Sequence, residues 1–587
     1  MIQSINKYLS CLYLLSTSAF CLTYHVSPSG SDAAGDGSSA KPWATISGAA
    51  GKSMVQGGDT ILVADGTYNG SKYIGRSFSD WLTVRAEYQY KAKLTNIQNN
   101  LGGEALSIYT QGSAKIRIEG FVFSNVYPGY TCPDGREANY LVHFQDACDI
   151  VFQNNILFGN NAPGACNELL KINRGDTLYY PRDIQIRGNV FYDRPSAGGT
   201  DLIDATRPGE LDIYENIFFE RSAPLAQSFM TIKREVQEDS MPAAYKPARN
   251  PRIHVYKNVF LNWDGAADQA FVQFGEDDLP EYMITNSLIE NNLMIGNSAN
   301  PLAAPIQLKG CKNITVRANT IVGDLPGGSF GFRIGTEGTN PRASGFYIYN
   351  NIWCDPTGTM TNRFVNTYGD VDTSSITLSN NLFWNKGDPL PSTGSPLPAA
   401  DARIIVADPL LDTNQSGIVL PVWDETNGMF TSGSTTIRQE FERLVNTYGS
   451  IPSGSPAIGA ADAANMPVDD ILGNPRDTKP DIGAFEFSSA GAKGKEIGTG
   501  EGFDHNFNLK IIQNISGKRI LIVDANKSSS LDLYFYDLSG RQLLALKNIG
   551  ITAGRNVISH EISLSGIFLM KAAYNGGQVF QKIFFLK

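Results

Sequence analysis

RGNVFY (Arg187 to Tyr192), an alternating strand interrupted by asparagine and resumed by apolar residues, is one of eight such phrases along this 587-residue chain. The others are QNNILF from Gln153, YENIFF from Tyr214, YKNVFL from Tyr256, ENNLMI from Glu290, RANTIV from Arg317, YNNIWC from Tyr349 and SNNLFW from Ser379. Their shared asparagines, Asn155, Asn189, Asn216, Asn258, Asn292, Asn319, Asn351 and Asn381, are spaced by 34, 27, 42, 34, 27, 32 and 30 residues. Intervals of that size mark one supersecondary unit each. Each unit carries an earlier short strand as well: YLVHFQ from Tyr140, ELLKIN from Glu168, DLIDAT from Asp201, FMTIKR from Phe229, FVQFGE from Phe271, PIQLKG from Pro305 and GFRIGT from Gly331. Two or three strands per repeat, with apolar side chains alternating inward to stack on the coils above and below, predict an all-β chain folded as a right-handed parallel β-helix. The repeated asparagine falls at a turn where its amide can bond the next coil, an asparagine ladder with no chemical role.

An open coil end would template edge pairing, so both ends need cover. KPWATISGAAGKSMVQGGDTILVADGTY (Lys41 to Tyr68) predicts a helical stretch over about Ala44 to Val55, then a strand and a glycine turn. This segment, with YHVSPSGSD (Tyr24 to Asp32), resembles the N-terminal cap of secreted β-helix polysaccharide lyases. GSPAIGAAD and LGNPRDTKPDIGAFEF, between Gly454 and Phe487, resemble the closing segment of bacterial extracellular β-helix proteins and are expected to cover the far end.

Residues 1–22 carry one cation, Lys7, and the apolar stretch Tyr8 to Phe20, too short to span a bilayer, which reads as a signal peptide. The β-helix domain is then 23–487. A Gly, Ser, Ala and Lys-rich linker follows over 488–506. The strands of 507–587 predict a small β-sandwich that resembles the C-terminal sorting domain of the type IX secretion system of Bacteroidetes. That resemblance implies export across the outer membrane, a secreted or cell-surface location, and the secretion machinery as a partner. Of seven cysteines, Cys132, Cys148, Cys166, Cys311 and Cys354 follow the leader without metal-binding spacing; a disulfide among Cys132, Cys148 and Cys166 and free buried thiols are both open. A net charge of −10 argues against nucleic acid as a partner but permits a local basic groove for an anionic polysaccharide. A monomer is expected.

Aligning the earlier strands places His143, Lys171, Asp204, Thr231, Gln273, Gln307 and Arg333 in one outward column, and Gln145, Asn173, Thr206, Lys233, Gly275, Lys309 and Gly335 in the next. Strand ends add Asp146, Arg174, Arg207, Arg234 and Glu276; strand starts add Glu168 and Asp201. Charge gathers in the coils of Glu168, Asp201 and Lys233 and thins to Gln, Gly and Thr beyond. Acids beside a lysine suit β-elimination from a uronate, which needs a cation to neutralise the carboxylate and a base for the adjacent proton. Glu168, Asp201 and Asp204 offer oxygen ligands for Ca²⁺. Lys233, with Lys171 as the alternative, is the candidate base if its pKa is lowered by Ca²⁺, Arg207 and Arg234. Arg174 or Arg207 could clamp the carboxylate directly. His143 is a further acid or base candidate, and Gln273, Glu276, Arg234 and Tyr245 are candidate sugar contacts, Tyr245 lying on the long excursion Glu235 to Pro251.

The arrangement resembles the β-helix pectate lyases of polysaccharide lyase family nine, where coil-borne aspartates bind calcium and a neighbouring lysine is the base. It resembles less closely family six, chondroitinase B and the alginate lyases, whose NGESE-like phrase is missing here. The activity these resemblances imply is cleavage of alginate, pectate or a glycosaminoglycan. Two alternatives stand beside it: a glycoside hydrolase using a pair among Asp201, Asp204 and Glu276, and a glycan-binding protein without turnover.

Overall fold

The computed structural model describes residues 21–97, 103–125, 140–160, 168–175, 179–193, 201–221, 227–235, 252–263, 269–296, 301–323 and 328–487, with a few isolated positions beside or within these ranges, and the strands of 507–585. Residues 1–20 of the signal peptide, the 488–506 linker, Tyr245, Cys132 and Cys166 lie outside the described residues. The chain divides into two compact units, 1–487 and 488–587.

The first unit is a right-handed parallel β-helix. Its strands form a 20-stranded sheet, two faces continuous around a corner, and a 12-stranded sheet of shorter strands, the third face. Strands Leu106–Glu119 and Val142–Gln153 turn that corner unbroken, with left-handed backbone at Gln111, Lys115, Asp146 and Asp149. Inside, equivalent side chains stack coil on coil: Phe191 on Phe218 at 5.1 Å and Phe218 on Phe260 at 5.0 Å, both pairs within 10° of parallel. Parallel pairing in register compels this, because a side chain meets its own equivalent about 4.8 Å away in the next coil.

The asparagine ladder runs unbroken from Asn155 to Asn381. In each step Oδ1 accepts from the backbone N–H and the side-chain amide of the preceding asparagine, at 2.9 Å and 3.2 Å for Asn189 and at 3.1 Å and 3.0 Å for Asn258. Each Nδ2 also donates to a carbonyl of the preceding coil, as Asn189 does to Phe152 at 3.0 Å. The residue just before every ladder asparagine is left-handed: Asn154, Gly188, Glu215, Lys257, Asn291, Ala318, Asn350 and Asn380. Beyond Asn381 stands Asp401, whose carboxylate accepts from Asn380 N at 3.0 Å, Asn381 N at 3.0 Å and Asn381 Nδ2 at 2.7 Å. A carboxylate only accepts, so it ends a ladder whose last unmet groups are donors.

Two expectations are corrected. The N-terminal helix is Ile46–Gly51 alone, capped by Thr45 accepting from Gly48 N, because Gly48 and Gly51 propagate a helix poorly and Lys52 is already extended. The segment that ends at Phe487 is a strap along the flank rather than a lid on the end. Trp423, Phe430, Ile437, Phe441, Leu444 and Ile482 bury the outward apolar column of the short-strand face, Val190, Ile217, Val259, Leu293 and Ile352. Trp423 N donates to the Tyr192 hydroxyl at 3.3 Å, far back along the helix, and Ala484 N to Thr320 Oγ1 at 2.9 Å on the return. Within PRDTKPDIGAFEF, Arg476 is buried against Glu486 at 3.0 Å and Asn291 at 2.9 Å, which ties the strap to the coils. Cys148 is a buried free thiol donating to the Tyr180 carbonyl at 3.0 Å, so it takes part in no disulfide.

The second unit consists of two antiparallel sheets, three strands ordered Phe507–Gln513, Arg519–Ala525, Gly554–Ser559, and four strands built on Ser529–Tyr536 and Gly566–Tyr574.

Replacing Asn258 by Ala orphans buried donors on Asn216 as well as removing its own bonds. We expect a loss of about 3 kcal/mol or more at roughly 1–3 kcal/mol per orphaned group, read as a lower urea midpoint.

Candidate functional site

Strand register sets the two columns as the sequence places them. Ser107, His143, Lys171, Asp204, Thr231, Gln273, Gln307 and Arg333 pair in succession, and beside them Tyr109, Gln145, Asn173, Thr206 and Lys233. These positions point away from the helix interior, yet most are nearly closed to solvent: His143 is 6% exposed, Lys171 8% and Asp204 3%. Charges so enclosed must be answered by neighbours in the same ladder.

They are. Lys171 Nζ donates to Asp204 Oδ2 at 2.7 Å and to Thr206 Oγ1 at 3.4 Å. Lys233 Nζ stands 3.7 Å from the same Asp204 oxygen and is hydrogen-bonded to Glu276. Thr206 completes Asp204 at 3.1 Å, and Thr231 Oγ1 donates to Asp201 at 3.0 Å. One coil below, His143 Nδ1 is 2.6 Å from Glu104 Oε1 and Nε2 is 2.6 Å from the Asn173 side-chain oxygen. Tyr140 lies edge-on to His143 with ring centroids 4.8 Å apart, and the Lys171 ammonium sits 5.6 Å from the Tyr140 ring centre. Although burial raises the Glu104 carboxyl, the hydrogen bond and charge of His143 outweigh it and hold the group below the ordinary glutamate value. Glu104 stands before its strand and outside the aligned strand phrases, and Tyr140 opens YLVHFQ without a charge to mark it.

The expected calcium set does not form. Among the described residues no three His, Cys, Asp or Glu side chains converge as a cation site. Two ammonium groups already hold Asp204, and Asp201 is turned to Thr231. Glu168 is 4% exposed with Oε2 buried and lacking a hydrogen-bond partner. Burial first, and the Asp204 charge second, push its carboxyl up to about 7.

Lys233 is corrected as the base. Burial works against its charge, but the carboxylates of Asp204, Glu276 and Asp201 prevail and hold it above the ordinary lysine value. The expected cationic neighbours are engaged elsewhere: Arg234 pairs with Asp277 at 2.6 Å and Arg207 stands 4.0 Å from Glu281. Arg174 lies over the Tyr180 ring at 4.4 Å and donates to its hydroxyl at 2.8 Å. Gln273, expected to touch sugar, is fully buried, its Oε1 facing Ser228 at 3.4 Å. Glu276 stays about a third exposed beside Lys233.

No known family matches the chain, and no curated protein does. Among solved structures it is similar to pectate lyase Pel9A, at 14% identity and a TM-score of 0.43 over 80% of this chain and 96% of that one. It is also similar to a GH136 lacto-N-biosidase from Eubacterium ramulus, at 12% identity and 0.36 over 66% and 67%, and to the A-module of the mannuronan C-5 epimerase AlgE6 from Azotobacter vinelandii, at 12% and 0.31 over 62% and 91%. The likeness is one of architecture.

Glu168 makes stability depend on pH. Its folded value of about 7 exceeds the ordinary 4.5, so the protonated form is favoured by folding and its stabilisation is full below 4.5 and lost as pH rises towards 7. Glu168→Gln should remove that slope: urea midpoints of the variant and wild type diverge in favour of the variant as pH rises from about 4.5 to about 7, stay apart above that, and converge in acid.

Proposed function

We propose that this protein is a polysaccharide lyase that cleaves a uronic-acid-containing glycan by β-elimination. The observation that carries the reading is a proton-transfer group and a cationic anchor on adjoining coils: the Glu104, His143, Asn173 chain beside the Lys171, Asp204, Lys233 cluster. β-Elimination needs both within one sugar of each other.

In this reading Lys171 and Lys233, the second held charged by its carboxylate neighbours, face the uronate carboxylate and stabilise the negative charge that develops as the neighbouring carbon loses its proton. His143, its Nδ1–H donated to Glu104, takes that proton on Nε2 once the sugar displaces the Asn173 side chain from that nitrogen. The C4–oxygen bond then breaks, a double bond forms between C4 and C5, and Tyr140, edge-on to His143, returns a proton to the leaving oxygen. No water is consumed. Arg207, partly exposed and 4.0 Å from its acidic neighbour, supplies a second contact for an anionic chain. Calcium has no step in this scheme, because ammonium groups occupy the carboxylate that it would need.

The leader and the C-terminal unit support a secreted or cell-surface enzyme exported through type IX machinery, with an anionic polysaccharide as its partner. Alginate, polygalacturonate and chondroitin sulfate all present a carboxylate beside the labile proton.

With the ultraviolet absorbance of the unsaturated product as readout, His143→Ala should lower kcat/KM by about a hundredfold or more. An active variant at the wild-type rate would remove His143 from the chemistry. Excess chelator should leave the wild-type rate unchanged; loss of activity restored by Ca²⁺ would return Glu168, Asp201 and Asp204 to the role of metal ligands.

A further inference from the structure

The column that carries His143 continues downward through Ser107 to Tyr73. Tyr73 therefore lies two coils, about 10 Å, from the imidazole on the same face. It is 50% exposed, unlike the enclosed residues above it. Its ring is laid along the surface rather than standing out from it: the hydroxyl reaches the Tyr109 carbonyl of the next coil at 3.5 Å. The space beneath exists because residue 75 is glycine, where a Cβ would meet the Tyr73 hydroxyl at 2.5 Å and its ring carbons at 2.6 and 2.7 Å. Tyr368, at the opposite end of the stripe, also overlies a glycine, Gly335, but its ring is taken by the Arg333 guanidinium at 4.6 Å. Among the described residues no ring or cation is stacked on Tyr73.

We infer that Tyr73, seated on Gly75, is a sugar-stacking subsite that holds the same uronate chain two coils away from the point of cleavage. The inference rests on the proposed lyase reading for the identity of the chain, not for the platform itself. A pyranose presents a face of C–H groups that packs on an aromatic ring, while its carboxylate and hydroxyls remain in water. Register with His143 makes the platform continuous with the site, and the coil repeat sets a bound chain along the column. Tyr109, whose hydroxyl accepts from Gln111 at 2.7 Å, borders the same path with polar groups.

The test is retardation of the full-length mature protein in native gels containing alginate, polygalacturonate or chondroitin sulfate, run cold so that turnover is slow. Wild type should be retarded by at least one of them. Tyr73→Ala should weaken apparent affinity by about tenfold, the effect of losing one aromatic contact, and Tyr73→Trp should retain it. Gly75→Ala keeps the tyrosine but displaces its ring, and should weaken binding in the same direction. Equal retardation of wild type and Tyr73→Ala overturns the subsite, as does a wild type retarded by none of the three. If no glycan is cleaved but the Tyr73 and Gly75 variants lose retardation, the subsite stands and the lyase reading falls; cleavage without any such loss overturns the subsite and leaves the lyase reading standing.

Discussion

A buried amide donor at a tight corner must find an acceptor, and in this chain it finds it in the next coil. Each ladder asparagine is wholly buried, follows a left-handed residue, and closes its hydrogen bonds through the amide above and the backbone below. The corner cannot shift by one residue without orphaning several groups at once, so the ladder fixes the register of every strand that leaves it. Apolar stacking then follows rather than leads: Phe191, Phe218 and Phe260 fall into line because the asparagines beside them do. Asp401 shows the same logic at its end, where a carboxylate takes the last donors.

Fixed register also makes the outer columns a constraint on charge. Like positions recur about every 4.8 Å, so an unmatched column of acids or bases would repel itself. His143, Lys171, Asp204 and Thr231 alternate in character along one column, and Lys233 reaches across from the next. The result is a set of groups that answer one another's charge. Asp204 and Glu276 hold Lys233 above the ordinary lysine value, while burial and Asp204 raise the Glu168 carboxyl to about 7.

The repeat and both columns were legible in the sequence, because a parallel β-helix writes its register into the spacing of its corners. Roles within the columns were less so. Lys233 reads as a base on the strength of a bound Ca²⁺ and nearby arginines, yet Arg207 and Arg234 turn to Glu281 and Asp277, residues on a connection whose path no periodicity reveals. Glu168, Asp201 and Asp204 read as a calcium set, but which oxygens face one another depends on side-chain torsions. Glu104 escaped notice for a related reason: it precedes its strand and meets His143 only because coils stack. The strap was misread as an end cover, since apolar residues spaced along an irregular segment do not disclose which face they bury.

The fate of water bears most directly on the proposed chemistry. Digestion of the uronate polysaccharides in heavy-oxygen water, with the products weighed by mass spectrometry, separates elimination from hydrolysis in one experiment. Elimination predicts products with an unsaturated terminal uronate and no solvent oxygen at the cleaved bond. Saturated products carrying one heavy oxygen per cut would contradict it and make the buried carboxyls of this site the acid and base of a hydrolase.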